Sequence, residues 1–148
     1  MQPEIRSRTS SARGPGSGSR SDGPILIVED NRTNALILRT MLQRSGYEAV
    51  VATDGAEGVE MADRLQPRLV FLDLHMPRLD GFAAAAEIQR RAGSHAPVIV
   101  AVTANVSPEV HAACLASGFG SVLSKPIFLD TLISTLRIFA PSAVAVSG

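Results

Sequence analysis

Residues 25–30 read ILIVED: an unbroken apolar run rich in β-branched side chains, closed by two carboxylates. A strand with one solvated face alternates apolar and polar residues. A continuous run is instead the pattern of a strand buried on both faces, as in a parallel sheet. The residues that follow fit that reading. Ala35, Leu38 and Leu42 recur at helical spacing, and Gly46 supplies a stop. YEAVVA (47–52) predicts a second strand. Asp54 and Glu57 have the spacing of a capping box, opening a helix whose buried stripe is Val59, Ala62 and Leu65.

The same rhythm continues to the end of the chain. LVFLD (69–73) predicts a third strand, followed by a loop to Gly81 and a helix marked by Ala85, Ile88 and Ala92 and closed by Gly93. PVIVAVT (97–103) predicts a fourth strand. Ser107 as N-cap, Pro108 at the first helical position and Glu109 in the first turn open a helix that Gly118 ends. SVLS (121–124) is a short fifth strand, and Leu132, Leu136 and Phe139 stripe a fifth helix. Five strand-then-helix units imply an α/β, doubly wound parallel sheet with right-handed crossovers and helices on both faces.

Composition limits what such a domain does. Residues 1–23 are rich in Ser, Gly, Arg and Pro with almost no large apolar side chain, so they read as a disordered arm or linker. The arm has no apolar core of a signal peptide, and no run in the chain approaches the roughly 18 apolar residues of a membrane span. The chain is expected to be soluble and cytoplasmic. Its net charge is zero, with four Arg against two acids in the arm and a slight acidic excess beyond it, which does not make a nucleic-acid-binding face. A single cysteine, Cys114, excludes an internal disulfide. It shares a helical stripe with Val110 and Ser117 and reads as small core filler. Residues 141–148 read as a frayed tail.

In a doubly wound sheet, ligands bind beyond the carboxyl ends of the strands, near the point where strand order reverses. Glu29 and Asp30 follow the first strand, Asp73 ends the third, Thr103 ends the fourth and Lys125 follows the fifth. Two carboxylates about 4 Å apart repel by ~4 kcal/mol at an effective dielectric near 20, so the cluster needs cations. Lys125 is one. It is the only lysine in a chain with thirteen arginines, which marks a place for a compact point charge instead of a planar fork. The remaining ligands are oxygens, which suit Mg²⁺. A metal, a hydroxyl and an ammonium around a carboxylate form a site for a phosphoryl group, with Asp73 as nucleophile.

Four segments, ILIVEDNRTN, FLDLHMPRLDG, VTAN and VLSKPI, resemble in order the motifs of response-regulator receiver domains, nearest to those of hybrid histidine kinases and phosphorelays. The resemblance covers residues 24–140 and implies a flavodoxin-like sheet of order 2-1-3-4-5. It implies that Asp73 accepts phosphate from a phosphohistidine, and that Asp30, Asp73 and the His75 backbone carbonyl bind Mg²⁺ directly, with Glu29 acting through water. Thr103 would contact the phosphoryl group, and Lys125 would form an ion pair and precede a cis bond to Pro126. Such a domain catalyses its own phosphorylation and slow dephosphorylation, whether free-standing or within a histidine kinase. It takes a histidine kinase or a histidine-containing phosphotransfer protein as partner, and is a monomer or weak dimer. One residue departs from the pattern: Val122 stands where receivers usually carry Tyr, Phe or His, which favours onward relay of the phosphoryl group over output through an aromatic switch.

Other residues have plainer readings. Asp80-Gly81 is turn chemistry, Asp54 a cap and Phe119 a core residue. His95 and His111 lie on the surface, and the His75 side chain faces solvent beside the pocket. Two alternative functions share these features: a degenerate receiver acting only as an interaction module, which would be expected to lack Asp73, Thr103 or Lys125, and a haloacid-dehalogenase-like phosphatase, which would carry a second Asp where this chain has His75.

Overall fold

β1 (Ile25–Val28) has no polar face because it has a parallel neighbour on each side and helices over both surfaces. Its four residues pair in register with β2 (Ala49–Ala52) on one side and with Leu69–Leu72 of β3 (Leu69–Asp73) on the other. β4 (Val98–Thr103) and β5 (Ser121–Ser124) extend the sheet beyond β3, giving the order β2-β1-β3-β4-β5. The computed structural model describes residues 23–76 and 80–141 of the chain. The arm and tail expected from the sequence therefore lie outside the described residues, apart from Gly23 and Pro141.

Successive strand residues point to opposite faces, and the core divides accordingly. Ile25, Ile27, Leu69, Phe71, Val100 and Val102 pack with Leu38 and Leu42 of α1 (Arg32–Arg44) and Leu132 and Leu136 of α5 (Leu129–Phe139). Leu26, Val28, Val70, Leu72, Ile99 and Ala101 face the other way. They meet Val59 and Ala62 of α2 (Gly55–Leu65), Ala84, Ala85 and Ile88 of α3 (Gly81–Ala92), and Cys114 of α4 (Pro108–Ala116). Cys114 is fully buried and burial raises its thiol pKa, as befits core filler. Phe119 is buried against Phe82, ring centroids 5.7 Å apart.

The helix signals act as expected, with instructive exceptions. Asp54 and Ser107 accept hydrogen bonds from the backbone N–H groups of Glu57 and Val110. The Glu57 carboxylate reaches back to the Thr53 N–H at 2.6 Å, one residue beyond the cap. Gly46, Gly93 and Gly118 all adopt positive φ just past α1, α3 and α4. α2 has no glycine there; Gln66 takes the left-handed conformation itself (φ 50°), and Pro67 follows. Leu65 and Phe139 are only half-buried. In α2 the stripe runs through Gly58 instead, where a Cβ would come within 2.8 Å of Val28.

β4 starts one residue later than the sequence suggests, after Pro97, which lacks an N–H. β2 (Ala49–Ala52) is shorter than its expected span of 47–52: the Tyr47 N–H is taken by the Leu42 carbonyl of α1 at 3.0 Å, and the ring is buried. Its hydroxyl donates to the Ala140 carbonyl at the end of α5, and the Arg68 guanidinium lies 5.6 Å above its ring. Arg68 in turn donates through Nε to the Gly23 carbonyl at 2.8 Å. Removing only the hydroxyl, with Tyr47→Phe, is expected to lower unfolding free energy by about 1 kcal/mol in urea titrations, the usual net worth of one buried hydrogen bond. Backbone chemical shifts at Asp73 and Lys125, at the opposite edge of the sheet, should not move.

Candidate functional site

Because the strands are parallel, all their carboxyl ends lie on one edge, and the chemistry-bearing residues arrive there from four strands. Glu29 and Asp30 follow β1, Asp73 ends β3, Thr103 ends β4 and Lys125 follows β5. The register extends past the sheet: the Lys125 N–H donates to the Thr103 carbonyl at 2.9 Å and the Leu74 N–H to that of Val102 at 3.1 Å. The peptide bond from Lys125 to Pro126 is cis. Glu29, Asp73 and Lys125 are thereby brought into contact, with Thr103 ending the strand between β3 and β5. Carboxylate oxygens of Glu29, Asp30 and Asp73 lie within 4.8 Å of one another.

Burial separates the three acids. Asp73 and Glu29 are 3% and 6% exposed, Thr103 is completely buried, and Asp30 faces solvent. The Lys125 ammonium lies 3.0 Å from Glu29 Oε1 and 3.1 Å from Asp73 Oδ2. The other oxygen of each carboxylate accepts a backbone N–H from two residues on: Asn31 to Glu29 at 3.1 Å, and His75 to Asp73 at 3.0 Å. Thr103 is held in the same way, its Oγ1 accepting the Asn105 N–H at 3.2 Å. Among the described residues, its own hydroxyl hydrogen has no acceptor.

Burial pushes the Glu29 carboxyl above its usual range, against the hydrogen bonds from Asn31 and Lys125; the nearby Asp73 charge pushes the same way as burial. Burial works against the Lys125 ammonium, but its two carboxylate partners outweigh that and hold its pKa above the ordinary lysine value. Asp30 makes no ion pair with a described cation.

Some residues shape the site in ways that the sequence reading did not assign to them. Asn31 caps α1, its side chain accepting the Asn34 N–H at 2.9 Å while its own N–H serves Glu29. An Asn just before a helical stripe is a legible cap signal; its second bond is not. Asp80 and Gly81, expected as turn residues, instead begin α3. Asp80 accepts the Ala83 N–H at 2.9 Å, and Gly81 lies so close to the chain after β3 that a Cβ would meet Leu74 Cα at 2.8 Å and the Asp73 carbonyl oxygen at 2.9 Å. Val122 packs half-buried against the core. His75, His95 and His111 are all exposed.

The model of the response regulator receiver domain family matches residues 25–137 of this chain. The chain belongs to that family. The match leaves the haloacid-dehalogenase reading without support. Among related receivers, the chain is 38% identical over 122 residues to the sensor histidine kinase RcsC of Salmonella typhimurium, covering 82% of this chain and 13% of that protein. It thus spans only a small part of the length of the kinase it resembles. The receiver domain of the Pseudomonas aeruginosa sensor histidine kinase PA1611, solved with a magnesium ion in its active-site cleft, superposes with a TM-score of 0.73 at 32% identity, covering 81% of this chain and 98% of that one. The Saccharomyces cerevisiae receiver of Ssk1, solved with the histidine phosphotransfer protein Ypd1, gives 0.74 at 30% identity, covering 79% and 88%. This receiver thus has the sheet order, the acidic cluster and the relatives of two-component and phosphorelay signalling proteins.

With Lys125 committed to Glu29 and Asp73, Asp30 contributes repulsion with no offsetting cation among the described residues. Unit charges about 4 Å apart repel by roughly 1 kcal/mol even in water-like surroundings. Asp30→Ala is therefore expected to raise the stability of the metal-free receiver by about that amount in chelator-treated thermal melts. It should also abolish stabilisation by added Mg²⁺. A melting temperature indifferent to both changes would contradict a shared charged pocket.

Proposed function

We propose that this receiver takes a phosphoryl group from a phosphohistidine onto Asp73. The observation that carries this reading is the setting of Asp73: a buried carboxylate at the end of the central strand, with one oxygen on the His75 N–H and the other on Lys125. An Asp73 oxygen attacks phosphorus as the phosphorus–nitrogen bond breaks, the electron pair leaving on the imidazole nitrogen of the donor. Asp73 exchanges a carboxylate for an acyl phosphate. Lys125, relieved of the carboxylate charge, follows the negative charge onto a phosphoryl oxygen, and the Thr103 hydroxyl donates to another.

The donor set fits Mg²⁺, since Glu29, Asp30 and Asp73 offer only oxygens and Asp30 faces solvent, leaving room for the waters that this ion retains. Asp30, Asp73 and the His75 carbonyl would hold the ion directly and Glu29 through water. When bound, it supplies positive charge to the phosphoryl oxygens in the transition state.

The donor in this reading is a histidine kinase or a histidine-containing phosphotransfer protein. Support comes from the relatives and from exposed apolar side chains beside the site: Leu36 and Ile37 on α1, Phe128 and Leu129 at the start of α5. Without an aromatic ring at Val122, onward relay is favoured over output through β5. No helix among the described residues is long and apolar enough to cross a membrane, which accords with a cytoplasmic domain.

With acetyl phosphate and Mg²⁺, the protein is expected to incorporate one phosphoryl group, and Asp73→Asn should abolish incorporation. Lys125→Arg should keep the fold but blunt the phosphorylation-dependent amide shifts around Thr103, because a planar fork cannot follow the group as a rotating ammonium does. Full uptake by the Asp73→Asn protein would overturn the assignment.

A further inference from the structure

On the face of the sheet covered by α1 and α5 lies a partly open cavity of about 90 Å³. Ile27, Phe71 and Val102 form its floor, Leu38 and Met41 of α1 one wall, and Ile127, just past the cis bond, the other. Phe128 and Leu129, the next large apolar residues along the chain, are exposed and leave the space unfilled. Protein interiors carry few voids larger than a water molecule, and one lined by apolar side chains binds apolar molecules. The polar lining gathers at one end, where Glu29, Asp73 and Lys125 meet Asn34 of the first turn of α1. The Lys125 ammonium is already shared between Glu29 and Asp73, and Asp30 adds a third carboxylate to the cluster. That end of the cavity is therefore net negative.

We propose that this cavity is a binding site for a small primary alkylamine, with the alkyl chain between α1 and Ile127 and the ammonium at the acidic end. Volume sets the chain length. At ~30 Å³ per water in the liquid, the cavity takes the place of about three waters, roughly the bulk of a four-carbon chain. Burial of that chain supplies the affinity, about fourfold for each methylene removed from water. Charge selects the head group. An ammonium is attracted to the excess carboxylate, a hydroxyl gains no such attraction, and a carboxylate of the same shape is repelled. A bound amine would stand beside Asp73 and Lys125, giving a small molecule a place from which to act on the phosphoacceptor edge. Binding there requires only the cavity and its charge, whatever Asp73 receives.

The test is a set of amide-shift titrations of the full 148-residue chain with n-butylamine, methylamine, 1-butanol and pentanoate. Butylamine is expected to give saturable shifts at Leu38, Met41, Val102 and Ile127, with a Kd about tenfold or more below that of methylamine, since it buries three further methylenes. Butanol and pentanoate should both bind more weakly than butylamine, pentanoate the weakest. Val102→Ile adds one methylene to the floor and should weaken butylamine about fourfold while leaving methylamine unchanged. Should that protein fail to fold, Met41→Ala enlarges the cavity from α1 and should make hexylamine the tighter ligand. Equal affinities for butylamine and methylamine, with shifts confined to residues 29–31, would mean that the acids alone draw the cation and would overturn the inference. So would butanol or pentanoate binding as tightly as butylamine, or no saturable shift at the cavity residues. Shifts at Ile37 and Ile127 that follow protein concentration without any ligand would place a second copy on the groove instead, and overturn it as well.

Discussion

The Lys125 ammonium sits 3.0 Å from Glu29 and 3.1 Å from Asp73, and the rest of this sheet edge is arranged to keep those three groups together. Two almost fully buried carboxylates would otherwise repel each other in surroundings that screen poorly, and burying charge without a partner is expensive. The parallel sheet solves the delivery problem. β1, β3 and β5 bring Glu29, Asp73 and Lys125 to one edge although they are far apart in sequence, and the β4 carbonyls of Val102 and Thr103 carry the register past the ends of β3 and β5. Backbone N–H groups from Asn31 and His75 then fix how each carboxylate faces the lysine.

Close packing beneath the edge keeps it rigid. Gly58 lets α2 approach Val28, the residue before Glu29, and Gly81 lets α3 begin against the chain leaving Asp73. At both places a side chain would push on the very strand ends that carry the acids. α4 differs: its one buried residue is Cys114, while Leu115 and Val106 nearby are exposed. α4 is thus anchored to the core more lightly than α1, α2, α3 or α5.

Much of this was legible before any coordinates. Continuous apolar runs marked the strands, because strands buried on both faces cannot alternate, and the polar residues closing those runs marked the site. Cap and glycine signals placed most helix ends. Elsewhere tertiary contacts decided. Tyr47 stays outside β2, its N–H on the Leu42 carbonyl of α1 and its hydroxyl on the Ala140 carbonyl, a partner 93 residues away. α2 ended on Gln66, whose left-handed conformation no local signal announces. Gly81 looked like a turn residue because only the fold reveals the backbone lying against it. The sequence placed Lys125 among three acids, but its two partners depend on side-chain reach across the sheet.

The central claim is that this sheet edge exists to carry a phosphoryl group on Asp73. The most direct measurement is chemical. After treatment with acetyl phosphate and Mg²⁺, borohydride reduction converts an aspartyl phosphate to homoserine, which peptide mass mapping locates. The expected result is homoserine in place of Asp73 in the peptide containing residues 69–76, and none in a sample treated without phosphodonor. Reduction at another carboxylate, or an alkali-stable phosphate on His75 with Asp73 unmodified, would contradict it.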